Sequence, residues 1–205
     1  MKILLLLIYL FLSISLFSQE NIELNIGPEY YYSSNINVKD YSSDFVSIII
    51  GFTGIHYFSE IFGLYINLNL DLPIINITNY NNTSYVSNWS DNIFWIGIDG
   101  LIGPIFCLIK NENLRIPVSF GFHIIRMTTI YNGIGSITKN YGVGINFGIE
   151  KNLDKNLYIS MKLSGFFDML SNNERQNIYE FFTDRVHFDN RNWGIAPIIA
   201  IGLRK

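Results

Sequence analysis

The sequence has 205 residues, enough for one domain, and its formal net charge of −3 provides no basic surface for nucleic acid. Only 15% of the residues are charged, against roughly 25% in ordinary soluble domains, whereas 16% are aromatic. The composition therefore argues against both an ordinary soluble domain and a nucleic-acid-binding protein.

Residues 1–19 resemble a secretory signal peptide. Lys2 supplies a positive charge, residues 3–17 are apolar, and small residues near Ser18 offer a cleavage site. The apolar run is shorter than the roughly 20 residues that a membrane-spanning helix needs. We therefore predict a signal peptide that is cleaved, and not a membrane anchor. Cys107 is the single cysteine, so no internal disulfide is expected.

The mature chain, residues 20–205, alternates apolar and polar residues with the period of two that predicts β-strands. Within residues 63–72, for example, Leu64, Ile66 and Leu68 share one face of the strand. Eight such strands are predicted, over residues 20–32, 45–57, 63–75, 93–108, 114–126, 140–150, 157–168 and 191–203.

The predicted connections alternate between short and long. Short turns cover residues 58–62, 109–113 and 151–156. Long outer loops cover residues 33–44, 76–92, 127–139 and 169–190. If the strands run up and down, every short turn lies at one end and every long loop at the other. This layout predicts an all-β fold, an eight-stranded antiparallel up-and-down transmembrane β-barrel.

The composition of the two strand faces predicts that lipid lies outside. The apolar face holds Ile, Leu, Val and Phe, whereas the polar face is mostly Gly, Asn, Ser and Thr, which suit a narrow lumen. A soluble barrel would need Lys and Glu on its exterior. Aromatic residues near strand ends predict interfacial girdles, and they are Tyr30, Tyr32, Tyr57, Phe58, Phe94, Trp95, Phe122, Tyr141, Phe167 and Trp193.

Two features test this interpretation. Pro28 and Pro197 fall inside the first and last strands, which must pair to close the barrel, so we expect a bulge or a frayed rung there. Residues 93–109 are the best candidate for a membrane helix, but Asp99 and Pro104 disfavour it.

Residues 54–72, GIHYFSEIFGLYINLNLDL, form a hairpin with aromatic residues on both sides of a short turn. This hairpin resembles the small bacterial outer-membrane barrels of the OmpA, OmpX and OmpW kind, and the resemblance extends over the mature chain as a pattern. It implies localisation in the bacterial outer membrane, contact with its lipid, and folding by the barrel-assembly machinery. Members of these families usually end in an aromatic residue, whereas this sequence ends in Arg204 and Lys205.

Charged residues on the polar face are the candidate site inside the barrel. We predict a polar network in the lumen that includes Glu29, Asp99, Arg115 and Lys162. Asp99 and Lys162 fall near mid-depth on nearly opposite strands, so they are expected to pair. The histidines are scattered and lack the spacing of metal ligands. Accordingly, no catalytic, metal-binding or cofactor-binding residue is assigned.

The long loops are the candidate contact surface. Their aromatic residues among Asn and Ser favour adaptable contacts, and those selected are Tyr85, Trp89, Tyr179, Phe181 and Phe182. Ile178, Phe181 and Val186 also fit the spacing of a short amphipathic helix. The function expected is non-enzymatic: adhesion, surface contact with a host or extracellular ligand, or envelope integrity. Two alternatives are a narrow OmpW-like conduit for small or hydrophobic solutes and a lipid-modifying enzyme that uses His123.

Overall fold

The computed structural model describes residues 20–35, 41–88, 93–111, 113–131, 134–177, 183–186 and 190–204, and the predicted signal peptide lies outside them. These residues form ten β-strands: β1 (Glu20–Asn35), β2 (Tyr41–Tyr57), β3 (Phe62–Tyr80), β4 (Thr83–Asn88), β5 (Ile93–Lys110), β6 (Leu114–Tyr131), β7 (Ile134–Asn152), β8 (Leu157–Asn177), β9 (Thr183–Val186) and β10 (Asn190–Arg204).

Eight of these strands form a closed antiparallel barrel. The order of hydrogen-bonded neighbours is β1-β2-β3-β5-β6-β7-β8-β10, and β10 pairs with both β8 and β1. The short strands β4 and β9 extend the sheet from β3 and β8. The structure thus confirms the predicted eight-stranded up-and-down barrel. Within the described residues each barrel strand has a hydrogen-bonded neighbour on both sides, as a bilayer requires.

The strands are longer than the sequence pattern predicts. The barrel strands have 15 to 21 residues, whereas a tilted strand crosses the hydrocarbon with about 9–11. Most of the segment predicted as the loop 127–139 belongs to β6 and β7, and the predicted loop 76–92 contains a hairpin of β3 and β4 that turns at Asn81 and Asn82. The extents predicted for these two loops were wrong, because polar residues can also continue a strand once its hydrogen-bonded ladder with a neighbouring strand has formed.

The inward and outward faces agree with the sequence prediction. On β1, Leu24 and Ile26 are exposed, whereas Glu23 and Asn25 are fully buried. Similar alternation runs along every barrel strand, with Ile, Leu, Val and Phe outside. An exterior this apolar is unfavourable in water, because large continuous apolar patches are rare on soluble proteins. The barrel therefore exposes its apolar face to lipid.

Aromatic rings outline both borders of the apolar exterior. Near the short turns, Phe58, Phe62, Phe106 and Phe120 form a chain of ring contacts with centroids 5.3–6.1 Å apart. Toward the other end, Trp193 packs between Tyr30 and Tyr32, at 5.4 and 5.8 Å. Rings at both interfaces are typical of outer-membrane barrels.

Two residues predicted for the girdles lie elsewhere, Phe122 and Tyr57. Phe122 pairs with Ile102 at the middle of strands β5 and β6, between the two borders. Tyr57 is buried inside the barrel, in a cluster with Tyr65 and Ile105, because its position on β2 has the inward parity. The side chains of Phe94 and Trp95 lie outside the described part of the structure.

The closing seam between β1 and β10 contains the predicted irregularity. Pairing runs without a register shift from Asn21 to Ile26 and resumes at Tyr30, which pairs with Ile195. The interruption lies where Pro28 and Pro197 face each other. The irregularity is therefore a frayed rung and not a bulge.

Apolar side chains also pack inside the lumen, in clusters near the short turns, at mid-depth and toward the long-loop end. Residues 93–109, the helical alternative, form strand β5. Among the described residues, no helix is long and apolar enough to cross a membrane.

Candidate functional site: two polar layers in the lumen

Polar side chains in the lumen form two layers, which we name the basal network and the acidic cluster. The basal network lies near the short turns and centres on Glu23, Lys162 and Arg204. The acidic cluster lies closer to mid-depth and contains Glu29, Asp71 and Asp99, next to His123 and Asp168. Both layers arise because inward positions on several strands have polar residues at similar depth.

The basal network neutralises its charges internally. The Nζ of Lys162 forms an ion pair with Glu23, which also accepts a hydrogen bond of 3.0 Å from the Tyr158 hydroxyl. The Arg204 guanidinium lies 2.5 Å from a Glu150 oxygen and 4.1 Å from the centre of the Tyr158 ring. Each buried carboxylate of this network thus faces a cation, as the low dielectric of a filled lumen requires.

The acidic cluster contains three carboxylates from three strands. One oxygen from each of Glu29, Asp71 and Asp99 lies within 4.8 Å of the other two, and all three side chains are buried. Ser47 donates a hydrogen bond of 3.2 Å to Glu29, and Asn69 donates one of 3.1 Å to Asp99. Among the described residues neither carboxylate oxygen of Asp71 has a hydrogen-bond partner, although the residue is only 1% exposed.

His123 borders the acidic cluster. Its Nδ1 lies 2.7 Å from an Asp168 oxygen, and its Nε2 lies 3.6 Å from an Asp99 oxygen without a hydrogen bond. The ring stacks on Phe166, with centroids 4.1 Å apart. His123 on β6 reaches Asp168 on β8 across the intervening strand β7. At this point β7 has Gly142, which pairs with both residues and places no side chain between them.

The structure separates the four residues of the predicted lumen network. Glu29 and Asp99 share the acidic cluster, whereas Lys162 belongs to the basal network. The predicted Asp99–Lys162 pair was wrong. Lys162 pairs with Glu23, because only β10 lies between β8 and β1, whereas β6 and β7 lie between β8 and β5.

Arg115 lies near the short turns, with its guanidinium 6.0 Å from the centre of the Tyr57 ring. There it lines a cavity of about 310 Å³ together with Lys110 and Arg204. Arg115 therefore belongs to the short-turn mouth of the barrel and not to mid-depth.

Asp71, Glu23 and Asp168 have the inward parity of their strands but were not part of the predicted network. Their position in the alternating pattern showed that these side chains point inward. Which residues they contact depends on the stagger between neighbouring strands, which the alternation does not give.

Of the predicted contact residues, Tyr85 lies on β4 and is 60% exposed. Trp89, Tyr179, Phe181 and Phe182 lie outside the described residues. The predicted amphipathic helix finds no support in the flanking segments, because β8 continues to Asn177 and Thr183–Val186 is a strand.

A closed antiparallel barrel with an apolar exterior, aromatic borders and a filled polar lumen is a transmembrane barrel of the outer-membrane class. No protein-family model matches the sequence, and no curated protein sequence matches it. Solved structures do match the fold.

Neisserial surface protein A is similar over 91% of this chain and 97% of its own, with a TM-score of 0.51 and 8% identity. A major outer membrane protein from Thermus thermophilus is similar over 91% of this chain and 99% of its own, with a TM-score of 0.51 and 7% identity. At these identities the similarity concerns the fold alone. The chain therefore has the transmembrane β-barrel fold of bacterial outer-membrane proteins, and its apolar exterior is in contact with lipid, as the sequence predicts.

Proposed function

We propose that the protein acts through the outer end of its sheet, as a surface-contact protein that binds an extracellular ligand. The observation that carries the proposal is the β3–β4 hairpin. β3 pairs with β5 only as far as Asp71, and above this point its residues 75–80 pair with β4 instead. The hairpin therefore rises from the barrel wall on the side opposite to the short turns.

The exposed face of the hairpin suits contact with another molecule. Tyr85 and Val86 are both about 60% exposed, although aromatic and β-branched residues in strands usually pack against a neighbour. Within the described residues β4 pairs with β3 alone, so its other edge offers backbone donors and acceptors. An edge with exposed apolar side chains is the arrangement that binds an extended peptide by strand addition.

The filled lumen does not favour the conduit alternative. Side chains of Tyr65, Leu101 and Ile105 pack below the acidic cluster, and those of Tyr31, Phe166 and Ile125 pack above it. The enzymatic alternative also lacks support, because His123 is buried in the lumen and stacks on Phe166, away from the outer rim where a lipid substrate would approach.

A display experiment tests the proposal. Cells that display the wild type, a Tyr85→Ser/Val86→Ser variant, or a Leu153→Ser control are compared for binding to immobilised extracellular-matrix protein and to cultured host cells. Leu153 is 58% exposed at the short-turn end, on the other side of the membrane.

We expect binding by the wild type and the control, and at least a tenfold loss for the hairpin variant at equal surface expression. Equal binding by the hairpin variant and the wild type, or no binding by the wild type above cells that lack the protein, would overturn the proposal.

A further inference from the structure

We propose that the acidic cluster is a binding site for a divalent cation with a preference for oxygen ligands, such as Ca²⁺, Mg²⁺ or Mn²⁺. The site is formed by Glu29 of β1, Asp71 of β3 and Asp99 of β5. It is independent of the surface-contact function, because it lies within the lumen.

The spacing of the three carboxylates fits a single ion. Ca²⁺ binds oxygen at about 2.3–2.6 Å and Mg²⁺ at about 2.0–2.1 Å, so two ligands on opposite sides of one ion are about 4–5 Å apart. The oxygens of Glu29, Asp71 and Asp99 all lie within 4.8 Å of one another. They can therefore contact a common ion with little movement of the strands.

Asp71 points independently to a ligand. Its carboxylate is buried, both of its oxygens lack a hydrogen-bond partner in the part of the chain that the structure describes, and one of them lies within 4.8 Å of oxygens of the other two acids. A buried ionised group without a partner is strongly unfavourable, so the natural partner of Asp71 is a species that the described residues do not supply.

The neighbouring strand leaves space for this carboxylate. Gly97 pairs with Asp71, and a Cβ atom at position 97 would lie 2.7 Å from one of its oxygens. Any side chain at position 97 would thus crowd the group that faces the proposed ion.

The charges around the cluster also call for a cation. Four buried acids, Glu29, Asp71, Asp99 and Asp168, surround a single imidazole, that of His123. In the described part of the lumen, the ion pairs of Lys and Arg are made with Glu23 and Glu150 in the basal network. One divalent ion would neutralise most of the remaining charge. Three carboxylates favour Ca²⁺, Mg²⁺ or Mn²⁺ over metals that prefer sulfur.

The test measures ion content and stability in the full barrel. Protein is refolded into detergent micelles with CaCl₂, MgCl₂ or MnCl₂, passed over a desalting column and analysed by mass spectrometry for bound metal. Unfolding midpoints are recorded by the heat-induced shift in gel mobility, with and without a chelator. Asp71→Asn removes the central ligand, whereas Glu150→Gln alters a buried carboxylate outside the site and serves as the control.

We expect one ion per wild-type chain with at least one of the three metals, and the same content in Glu150→Gln but not in Asp71→Asn. At ion concentrations about 100-fold above Kd, the midpoint should rise by about 5–10 °C in the wild type and the control. Wild-type protein that retains no ion and whose midpoint does not respond to any of the three would overturn the proposal, as would equal ion content in all variants.

The wild-type measurement decides the matter even if Asp71→Asn does not fold. In that event Asp99→Asn provides the second ligand variant, with the same expected loss of the ion. If Asp71→Asn is instead more stable than the wild type in every ion solution, the cluster is a set of protonated acids and the proposal is wrong.

Discussion

Lys162 on β8 forms an ion pair with Glu23 on β1, across the intervening strand β10. Both side chains are buried, and the ammonium group also lies 3.4 Å from the Thr53 hydroxyl and 5.7 Å from the centre of the Tyr65 ring. The pair thus connects β8 to β1 across β10 from within the lumen, below the point at Pro28 where the β1–β10 ladder is interrupted.

Replacement of Lys162 by Met should destabilise the barrel by about 3–5 kcal/mol, because Glu23 then remains buried without a counter-charge. The double variant Glu23→Gln/Lys162→Met should recover most of that loss. Urea titration in lipid vesicles measures the stability of the single and double variants.

A double-mutant cycle between Lys162 and Asp99 should give a coupling energy below about 0.5 kcal/mol. A larger value would contradict the separation of the two polar layers.

The two prolines at the seam give a second prediction. The ladder between β1 and β2 continues through Pro28, whereas the ladder between β1 and β10 stops there, so the missing amide hydrogens weaken the seam. Pro28→Ala/Pro197→Ala should restore two backbone hydrogen bonds, each worth about 0.5–1.5 kcal/mol.

Hydrogen exchange followed by NMR measures the effect of these two prolines. Amides of residues 26–30 and 195–199 should exchange faster in the wild type than those at the centre of β7, and the difference should shrink in the double variant. Uniform protection along both seam strands of the wild type would rule out the frayed rung.

The period of two was sufficient to predict which residues face lipid and which face the lumen. Parity is a local property, and a strand of ten or more residues repeats it many times, so single exceptions do not obscure it. The strand assignment also identified Pro28 and Pro197 as a weak point, because a proline within a strand removes a ladder hydrogen bond.

The partners inside the lumen could not be predicted in the same way. Whether Lys162 meets Glu23 or Asp99 depends on the stagger between strands and on side-chain reach, and neither is encoded in the alternation. The ends of the strands were also missed, since Asn, Ser and Thr occur both in loops and in strands that extend beyond the bilayer. The acidic cluster combines residues of three strands that lie far apart in the sequence, so only the closed barrel brings them together.

Neighbouring residues on β5 test which face meets lipid. Leu101 is 4% exposed and Ile102 is 47% exposed. Ile102→Lys should cost about 2–4 kcal/mol near the bilayer midplane, whereas the same change on a soluble surface would be close to neutral. Unfolding in lipid vesicles by urea measures the difference.

The matched pair Leu101→Ala and Ile102→Ala supplies the control. Leu101→Ala leaves a cavity inside the barrel and should lower stability by about 2–5 kcal/mol. The space left by Ile102→Ala is filled by lipid chains, so this variant should lose much less stability. A barrel in which Ile102→Lys is harmless and soluble without detergent would contradict the transmembrane assignment.

Arg204 at the end of β10 gives the last prediction, because it joins three strands at the short-turn end. Its guanidinium contacts Glu150 and Asn152 of β7 and lies over the Tyr158 ring of β8. Arg204→Ala leaves Glu150 buried without its cation and should cost about 3–5 kcal/mol. The stability of Arg204→Lys should fall between that of the wild type and that of Arg204→Ala, because one ammonium group cannot reproduce the planar fork that contacts Glu150 and Asn152 together.

Refolding yield and urea unfolding in vesicles measure the Arg204 series. Lys155→Ala, at an exposed turn residue, is the control and should remain within about 0.5 kcal/mol of the wild type. If Arg204→Ala matched that control, Glu150 would have to be neutral in the folded barrel, and Glu150→Gln would then raise stability at neutral pH in both backgrounds, because it removes the cost of protonating a buried carboxylate.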